Sequence, residues 1–270
     1  MLDIDNLSIS FLRYDSVLHR REVTALDGID LSVARGEIVA LAGASGAGKS
    51  LLAHALFDIL PPNAVMRGRM SLDGKPLCSQ RRGKSRRQMA LVPQSLSHLD
   101  PLARCGSQLK WAAQRSGVAK SRAELIEILE EFDLGPEVMM LYPHQVSGGM
   151  ARRLLLAMAI ITDPDLVVAD EPTSGLDPDA ARGVLDHLRR LADTGKAVML
   201  ITHDLVTAVS FADRVAILEH GRMVGVEQAG AFSGDGERLA HSYARALWLA
   251  MPGNRFEVSL ADRGGVECSN

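Results

Sequence analysis

Cysteine is scarce in this 270-residue chain, and the three present, Cys78, Cys105 and Cys268, lie too far apart to give a metal-ligand spacing. Long apolar runs are missing as well. None approaches the roughly 20 residues needed to span a bilayer, so any work at a membrane requires a partner chain. The net charge of −3 gives no general electrostatic reason to expect nucleic acid as a partner. The start, Met1-Leu2-Asp3-Ile4-Asp5, is acidic and lacks the basic-then-apolar pattern of a secretion signal. No internal repeat or low-complexity tract interrupts the chain. What is present is the balance of a soluble globular protein, 47% apolar and 23% charged, long enough for one large domain or one domain plus a lobe. Together these features point to the cytoplasm.

Hydrophobic patterning divides the chain into three stretches. Residues 3 to 42 read as β: Ile4, Leu7, Ile9 and Phe11 roughly alternate with polar residues, and Ile29, Leu31 and Val33 do so strictly. Ile38-Val39-Ala40-Leu41-Ala42 is a short apolar run of the kind a buried strand requires. A helix is predicted from Ser50 to Leu60, stopped by Pro61-Pro62. Arg69 to Leu72 and Met89 to Val92 read as further strands, with a basic, loop-like segment between them at 79 to 88. From about 96 to 160 the pattern becomes helical, and Ser121-Arg122-Ala123-Glu124 has capping-box form. From Leu166 strand and helix alternate: Leu166–Ala169, Asp179–Ala192, Ala197–Ile201, a helix after Asp204, then Val215–Leu218. Such alternation implies a parallel sheet flanked by helices. The predicted fold is therefore α/β, with a parallel sheet, an N-terminal β portion and an inserted helical subdomain, all within a single domain spanning 1–250. The tail at 251–270, with few apolar groups, is expected to be poorly ordered.

Two motifs carry phosphate chemistry. Gly43-Ala44-Ser45-Gly46-Ala47-Gly48-Lys49-Ser50 matches the P-loop pattern G-x-x-x-x-G-K-S, between a predicted strand and a predicted helix. Glycines let backbone N–H groups converge on phosphate oxygens, and the helix aims its positive end at them. Lys49 can then reach the β- and γ-phosphates, and the Ser50 hydroxyl can ligate Mg²⁺. A ligand-free strand-to-helix turn is the plain alternative, but the full match in this context speaks against it. Leu166-Val167-Val168-Ala169-Asp170-Glu171 is an apolar strand ending in two carboxylates. Beside a P-loop, Asp170 can hold Mg²⁺, directly or through water, and Glu171 can polarise a water for attack on the γ-phosphorus. Taken alone, such a strand end is as often structural.

Between those motifs, Val146-Ser147-Gly148-Gly149-Met150 opens a long apolar helix. A Ser-Gly-Gly turn at a helix start offers N–H groups and a hydroxyl to an anion. One chain hardly needs a second such site for one nucleotide, so this one is expected to cover the γ-phosphate held by another subunit. Here the chain resembles the ATP-binding-cassette (ABC) ATPases, P-loop NTPases whose signature usually reads L-S-G-G-Q and here reads V-S-G-G-M. Pro93-Gln94 resembles the family's Q-loop, Asp170-Glu171-Pro172-Thr173-Ser174-Gly175-Leu176-Asp177 its Walker B and D-loop, and Ile201-Thr202-His203-Asp204 its switch histidine. The resemblance covers roughly residues 2 to 225. It implies ATP hydrolysis with Mg²⁺. Gln94 would sense the metal and the transporter interface, and His203 would meet the γ-phosphate and the attacking water. Ser147, Gly148 and Gly149 would act in trans, and Asp177 would lie at a dimer interface. Without their neighbours, His203 and Gln94 would read as ordinary surface residues. The aromatic that stacks on adenine is not evident. Phe11 suits the core, His19 and Arg20 lie nearer the expected place, and Tyr14 is the candidate, with a merely exposed Tyr as the alternative.

Further stretches resemble the peptide/nickel importer branch: Val23–Ile29, Leu99-Asp100-Pro101-Leu102, Tyr142-Pro143-His144, Met150, and His241–Leu247. Oligopeptide members commonly add a C-terminal extension with clustered cysteines, and only Cys268 stands there, which favours a nickel-type or metallophore-type subunit. The branch implies uptake of a small solute, a nickel or metal complex or a peptide. Its partners would be integral membrane permease subunits, a second homologous ATPase or a self-dimer, and indirectly a solute-binding protein. The chain would sit peripherally on the cytoplasmic face of the inner or plasma membrane. Arg81, Arg82, Lys84, Arg86 and Arg87 read as a solvated loop, not a nucleic-acid patch, because no aromatics interleave with them. Trp111, Met139 and Met140 fit the helical-lobe core or a permease contact. Other readings stay open: a repair- or translation-type ABC ATPase without a membrane partner, an exporter cassette, and a binding-only subunit. The last conflicts with the presence of Lys49, Asp170, Glu171 and His203 together.

Overall fold

The computed structural model describes residues 1–14, 20–77, 88–115, 117 and 119–251, with the side chains of Tyr14 and Arg20 outside the described set. In chain order the elements are β1 (Leu2–Tyr14), β2 (Arg20–Val33), β3 (Ile38–Ala42), α1 (Lys49–Leu56), β4 (Ala64–Leu72), β5 (Lys75–Pro76) and β6 (Met89–Val92). There follow α2 (Cys105–Arg115), α3 (Arg122–Glu131), α4 (Gly148–Ile160), β7 (Leu166–Asp170), α5 (Pro178–Asp193), β8 (Ala197–Thr202) and α6 (Leu205–Phe211). The last are β9 (Arg214–Glu219), β10 (Arg222–Gln228) and α7 (Ser242–Leu249).

Two sheets result. The N-terminal sheet is antiparallel, in the order β2-β1-β4-β5. The second has the order β10-β9-β3-β8-β7-β6, parallel throughout except for the antiparallel β10 at its edge. Every residue of β3, β7 and β8 is buried, as their unbroken apolar runs require. Because side chains alternate across a strand, each of these strands feeds two cores. Ile38, Ala40 and Ala42 of β3 pack with Val198 and Leu200 of β8 against the helices. Val39 and Leu41 pack with Met199 and Ile201 toward α1 and the antiparallel sheet.

Strands β5 and β10 and helix α7 lie outside the elements expected from the sequence, and the bounds of α1 and β4 differ from that expectation by several residues. Helix α1 ends at Leu56, not Leu60. Asp58 takes a left-handed φ of 53°, and the Ile59 amide donates back to the His54 carbonyl at 3.0 Å, which turns the chain off the helix axis before the prolines. Strand β4 begins at Ala64, well ahead of Arg69, because pairing with β1 extends it through the partly or fully exposed residues Ala64, Val65, Met66, Arg67 and Gly68. Helix α3 carries the expected capping box: Glu124 accepts from the Ser121 amide at 2.7 Å, and Ser121 Oγ accepts from the Glu124 amide at 3.3 Å. The basic segment read as a loop and the C-terminal tail both lie mainly outside the described residues.

The helical block meets the rest of the molecule at a polar seam. Arg153 of α4 donates to the carbonyl oxygens of Phe132 and Asp133 at 3.4 and 3.1 Å. Across the seam His187 of α5, only 2% exposed, lies with its ring 4.7 Å from that of Phe132. Its Nε2 is 3.2 Å from Asp133 Oδ2, and Arg190 stands against its Nδ1. Burial, reinforced by Arg190 and Arg153 and opposed by Asp133, pushes the imidazole down to about 4. The folded state thus keeps His187 neutral over a range in which the unfolded chain, with an ordinary value near 6.5, takes up a proton. The unfolded state binds more protons between those values, so stability falls as pH drops through that window, by up to about 3 kcal/mol. His187→Gln should flatten the dependence of the denaturant midpoint between about pH 6.5 and 4. An identical slope in wild type and variant would show that the seam does not discriminate against the imidazolium.

Candidate functional site

The carboxyl ends of the parallel strands β3, β8, β7 and β6 lie along one edge of the sheet, where open α/β sheets form their binding crevices. Each delivers its side chains there for a local reason. From β3 the chain turns sharply into α1. A Cβ on Gly43 would stand 2.1 Å from the Leu218 carbonyl oxygen of β9, and Gly48, with φ 105°, caps α1 where a side chain would meet Leu26. Only glycine lets the loop pass so close to its neighbours. Lys49 and Ser50 are the first residues of α1, beside the loop's amides. Lys49, 6% exposed, donates from Nζ to the carbonyl oxygens of Gly43 and Ala44 at 2.7 and 2.9 Å. Burial lowers its pKa, while Glu171 and Asp170 act in the opposite sense.

Asp170 closes β7 and is 5% exposed, with Oδ1 buried and without a hydrogen-bond partner. Burial raises its pKa, the Ser50 hydroxyl bonded to it works against that, and neighbouring Glu171 adds to it. A folded-state pKa above the unfolded one means that the ionised carboxylate costs stability at neutral pH. A divalent cation bound at Asp170 would offset that cost and could supply the partner that Oδ1 lacks. The available donors, a carboxylate, a hydroxyl and the Gln94 amide oxygen, are hard oxygens. They suit Mg²⁺ completed by water and phosphate better than an all-protein cage. Among the described residues no cluster of three or more His, Cys, Asp or Glu offers such a cage.

Glu171 follows in an uncommon left-handed conformation, φ 45°, held by its amide's bond to the Ile201 carbonyl of β8 at 2.8 Å. The strained turn swings the side chain out of the sheet toward the cleft. There both carboxylate oxygens are engaged. Gln94 Nε2, two residues past β6, donates to Oε2 at 2.8 Å, and His203 Nδ1, just past β8, lies 3.0 Å from Oε1. Ser45, Gly46, Gly48, Lys49, Ser50, Leu51, Gln94 and Glu171 line one open cleft of about 240 Å³.

The remaining candidates lie outside that lining. Ser147 caps α4, its Oγ accepting from the Met150 amide at 3.2 Å, and Asp177 caps α5 by accepting from the Ala180 amide at 2.9 Å. The two helix starts pack together, with a Cβ on Gly149 placed 3.0 Å from that of Ala180. The Tyr14 side chain falls outside the described residues. Sequence reasoning passed over Arg152, which lies 5% exposed between the Gln94 and Glu171 loops. Its only signal was position: a cation one turn into the helix that the Ser-Gly-Gly turn opens.

Comparison with known proteins agrees with this geometry. Residues 26–174 match the family described as "ABC transporter", and residues 140–210 also match one described as "AAA domain, putative AbiEii toxin, Type IV TA system". The dipeptide transport ATP-binding protein DppD of Bacillus subtilis is 34% identical over 84% of this chain and 70% of its own length. The nickel import ATP-binding protein NikD of Pseudomonas putida is 36% identical over 81% of this chain and 86% of its own. The oligopeptide transport ATP-binding protein OppD of Mycobacterium tuberculosis is 36% identical over 85% of this chain, which spans only 38% of that longer protein. Among solved structures, an ATP-binding subunit of an ABC transporter superimposes with TM-score 0.72 at 28% identity, covering 93% of this chain and all 100% of that one. A dimeric ATP-binding cassette in a post-hydrolysis state with ADP and Pi gives 0.73 at 25% identity, covering 85% and 99%. On its strand-end cleft and on these matches, the chain belongs to the ABC transporter family, whose cassettes bind and hydrolyse ATP.

Proposed function

We propose that this chain is the ATP-hydrolysing subunit of an importer, driving uptake of a peptide or of nickel or another metal complex through integral membrane permease subunits. The observation that carries the catalytic half is the Glu171 carboxylate, held between Gln94 and His203 at the mouth of the P-loop cleft. The importer half is supported by the relatives that transport dipeptides and import nickel. No helix among the described residues is long and apolar enough to cross a membrane, and the relatives named as ATP-binding proteins of transport systems support placing the transport path in other chains. Exposed Leu102, Trp111 and Met140 on the helical block are the surface offered for docking, and a solute-binding protein selects the cargo.

The residues divide the work by position. Loop amides of residues 43–50 and the positive end of α1 receive the triphosphate, and Lys49 exchanges its two carbonyl partners for phosphate oxygens. Ser50 and Asp170, with Gln94, would hold Mg²⁺, whose chemistry when bound is to offset the negative charge of the β- and γ-phosphates. Glu171 accepts the proton of the attacking water, and His203 orients that water and the γ-phosphate. Each oxygen of Glu171 has one partner, which orients the carboxylate and leaves acceptor capacity for a water in the cleft. Because Gln94 stands where β6 leads into the helical block, a permease that moves this block changes the general base's surroundings. Ser147, Gly148 and Gly149, outside the cleft lining, serve a nucleotide held by a second cassette, with Asp177 at the shared interface.

Glu171→Gln should leave ATP binding close to wild type and lower turnover by about 10²- to 10⁴-fold, the usual contribution of a general base. It should also accumulate an ATP-bound dimer, visible by size-exclusion chromatography. Wild-type hydrolysis in the assembled transporter would remove Glu171 from this role.

Ser147→Asp tests the action in trans without unfolding α4, because aspartate caps a helix as well as serine does. The chain alone should bind ATP as before, whereas pairing and hydrolysis with its partner cassette should be lost to repulsion of the incoming γ-phosphate. Loss of ATP binding by the folded chain alone would place Ser147 in its own cleft and reject the two-cassette arrangement.

The transport assignment is checked by tagging the chain in its native host and solubilising with mild detergent. Integral membrane subunits should co-purify in stoichiometric amounts. Recovery of the chain with ribosomes or DNA and no membrane subunit would support a stand-alone ATPase instead.

A further inference from the structure

We propose that Arg152 is a positioning residue for hydrolysis, tying the helix opened by Ser147 to the loops that carry Gln94 and follow Glu171. Its Nη1 donates to the Pro93 carbonyl oxygen at 3.0 Å, and its Nη2 to that of Ser174 at 3.4 Å. Pro93 immediately precedes Gln94. Ser174 sits in the turn whose amide returns to the Glu171 carbonyl at 3.1 Å, three residues before Asp177. One planar, forked donor therefore spans three segments that are distant in sequence and whose relative placement sets the distance from Gln94 to Glu171.

This is a costly residue to use as a simple staple. Arg152 is 5% exposed, and among the described residues it makes no ion pair. Its Nε is buried without an acceptor. Burial lowers its pKa, and the charge that opposes this is Glu171. An apolar residue would fill the same space without desolvating a cation. What only the guanidinium supplies is simultaneous grip on two carbonyl groups, together with a positive potential toward the general base. Because it stands on α4, a shift of that helix on engaging a second nucleotide is transmitted to both loops at once. Arg152 touches neither substrate nor the reacting atoms, so its effect appears through Gln94 and Glu171.

The proposal rests on the assignment of Glu171 and Gln94 to the hydrolytic machinery, and the experiment keeps the two apart. Steady-state ATP hydrolysis is measured in the chain assembled with its membrane and cassette partners, with Arg152→Gln, Arg152→Lys and Arg152→Ala, each alone and combined with Gln94→Ala. Misplacing aligned groups costs turnover more than binding. Arg152→Gln and Arg152→Ala should therefore lower kcat about tenfold or more, with KM for ATP within about twofold of wild type. Arg152→Lys, which keeps the charge and one donor, should recover part of the loss. Each double variant should be no slower than its slower parent by more than about twofold, because both changes disturb one unit. Should Arg152→Ala fail to fold, the Lys and Gln variants carry the same comparison. A wild-type kcat, a rise in KM that follows the loss of kcat together with a lowered melting temperature, or losses that multiply with Gln94→Ala would each overturn the proposal. Glu171→Gln is run alongside as reference. If it remains active the general-base assignment fails, whereas an inactive Glu171→Gln with active Arg152 variants rejects the positioning role alone.

Discussion

The shared direction of β3, β8, β7 and β6 is the constraint on which the rest of the molecule depends. Parallel strands in one sheet bring their carboxyl ends to the same edge, and these four are adjacent in the order β3-β8-β7-β6. That edge receives the phosphate loop from β3, His203 from β8, Asp170 and Glu171 from β7, and Gln94 from β6. Burial on both faces holds the strands in register, since a slip by one residue would drive every side chain into the wrong core. These polar groups therefore stand on short tethers at the end of the buried strands.

Charge is concentrated where the core is driest. Lys49, Asp170 and Arg152 are all more than nine-tenths buried. Burial disfavours the charged form of each, lowering the first and third and raising the second. Lys49 bonds to carbonyls of its own loop, Arg152 to carbonyls of two loops, and Asp170 keeps one oxygen without a partner. A site with two buried cations and a buried carboxylate held this way would gain most when a polyanion and a divalent cation arrive together. The same low-polarity surroundings that make the free state costly strengthen the interactions with bound nucleotide.

The helical block makes polar contacts of two kinds with the rest of the molecule. Through Arg152 it grips the loops around Glu171. Through Arg153 and the Phe132–Asp133 turn it meets α5 at the buried, neutral His187. Neighbouring residues on one helix thus face two neighbours, one loop pair and one rigid helix. Movement of α4 is transmitted to the Gln94 and Glu171 loops at one place and resisted at the other.

Much of this was legible in the amino-acid sequence, for reasons that are local. The glycine spacing of residues 43–50, the apolar run ending in Asp170-Glu171 and the Ser121 capping box depend only on residues within a few positions of one another. Backbone sterics and short-range hydrogen bonds decide such features almost independently of the rest of the chain. The early end of α1 at Leu56 was missed because a left-handed Asp58 is one of several conformations open to it, and the packing chose among them. The start of β4 at Ala64 was missed because Ala64–Gly68 shows no alternation of buried and exposed side chains and takes its strand geometry from pairing with β1. Tertiary structure alone decided that Gln94 and His203 hold opposite oxygens of Glu171, and that Arg152 reaches Pro93 and Ser174. It also decided that His187 is buried beside Asp133. Each of these contacts joins residues tens of positions apart through the order of the parallel strands, and no spacing along the chain encodes that order.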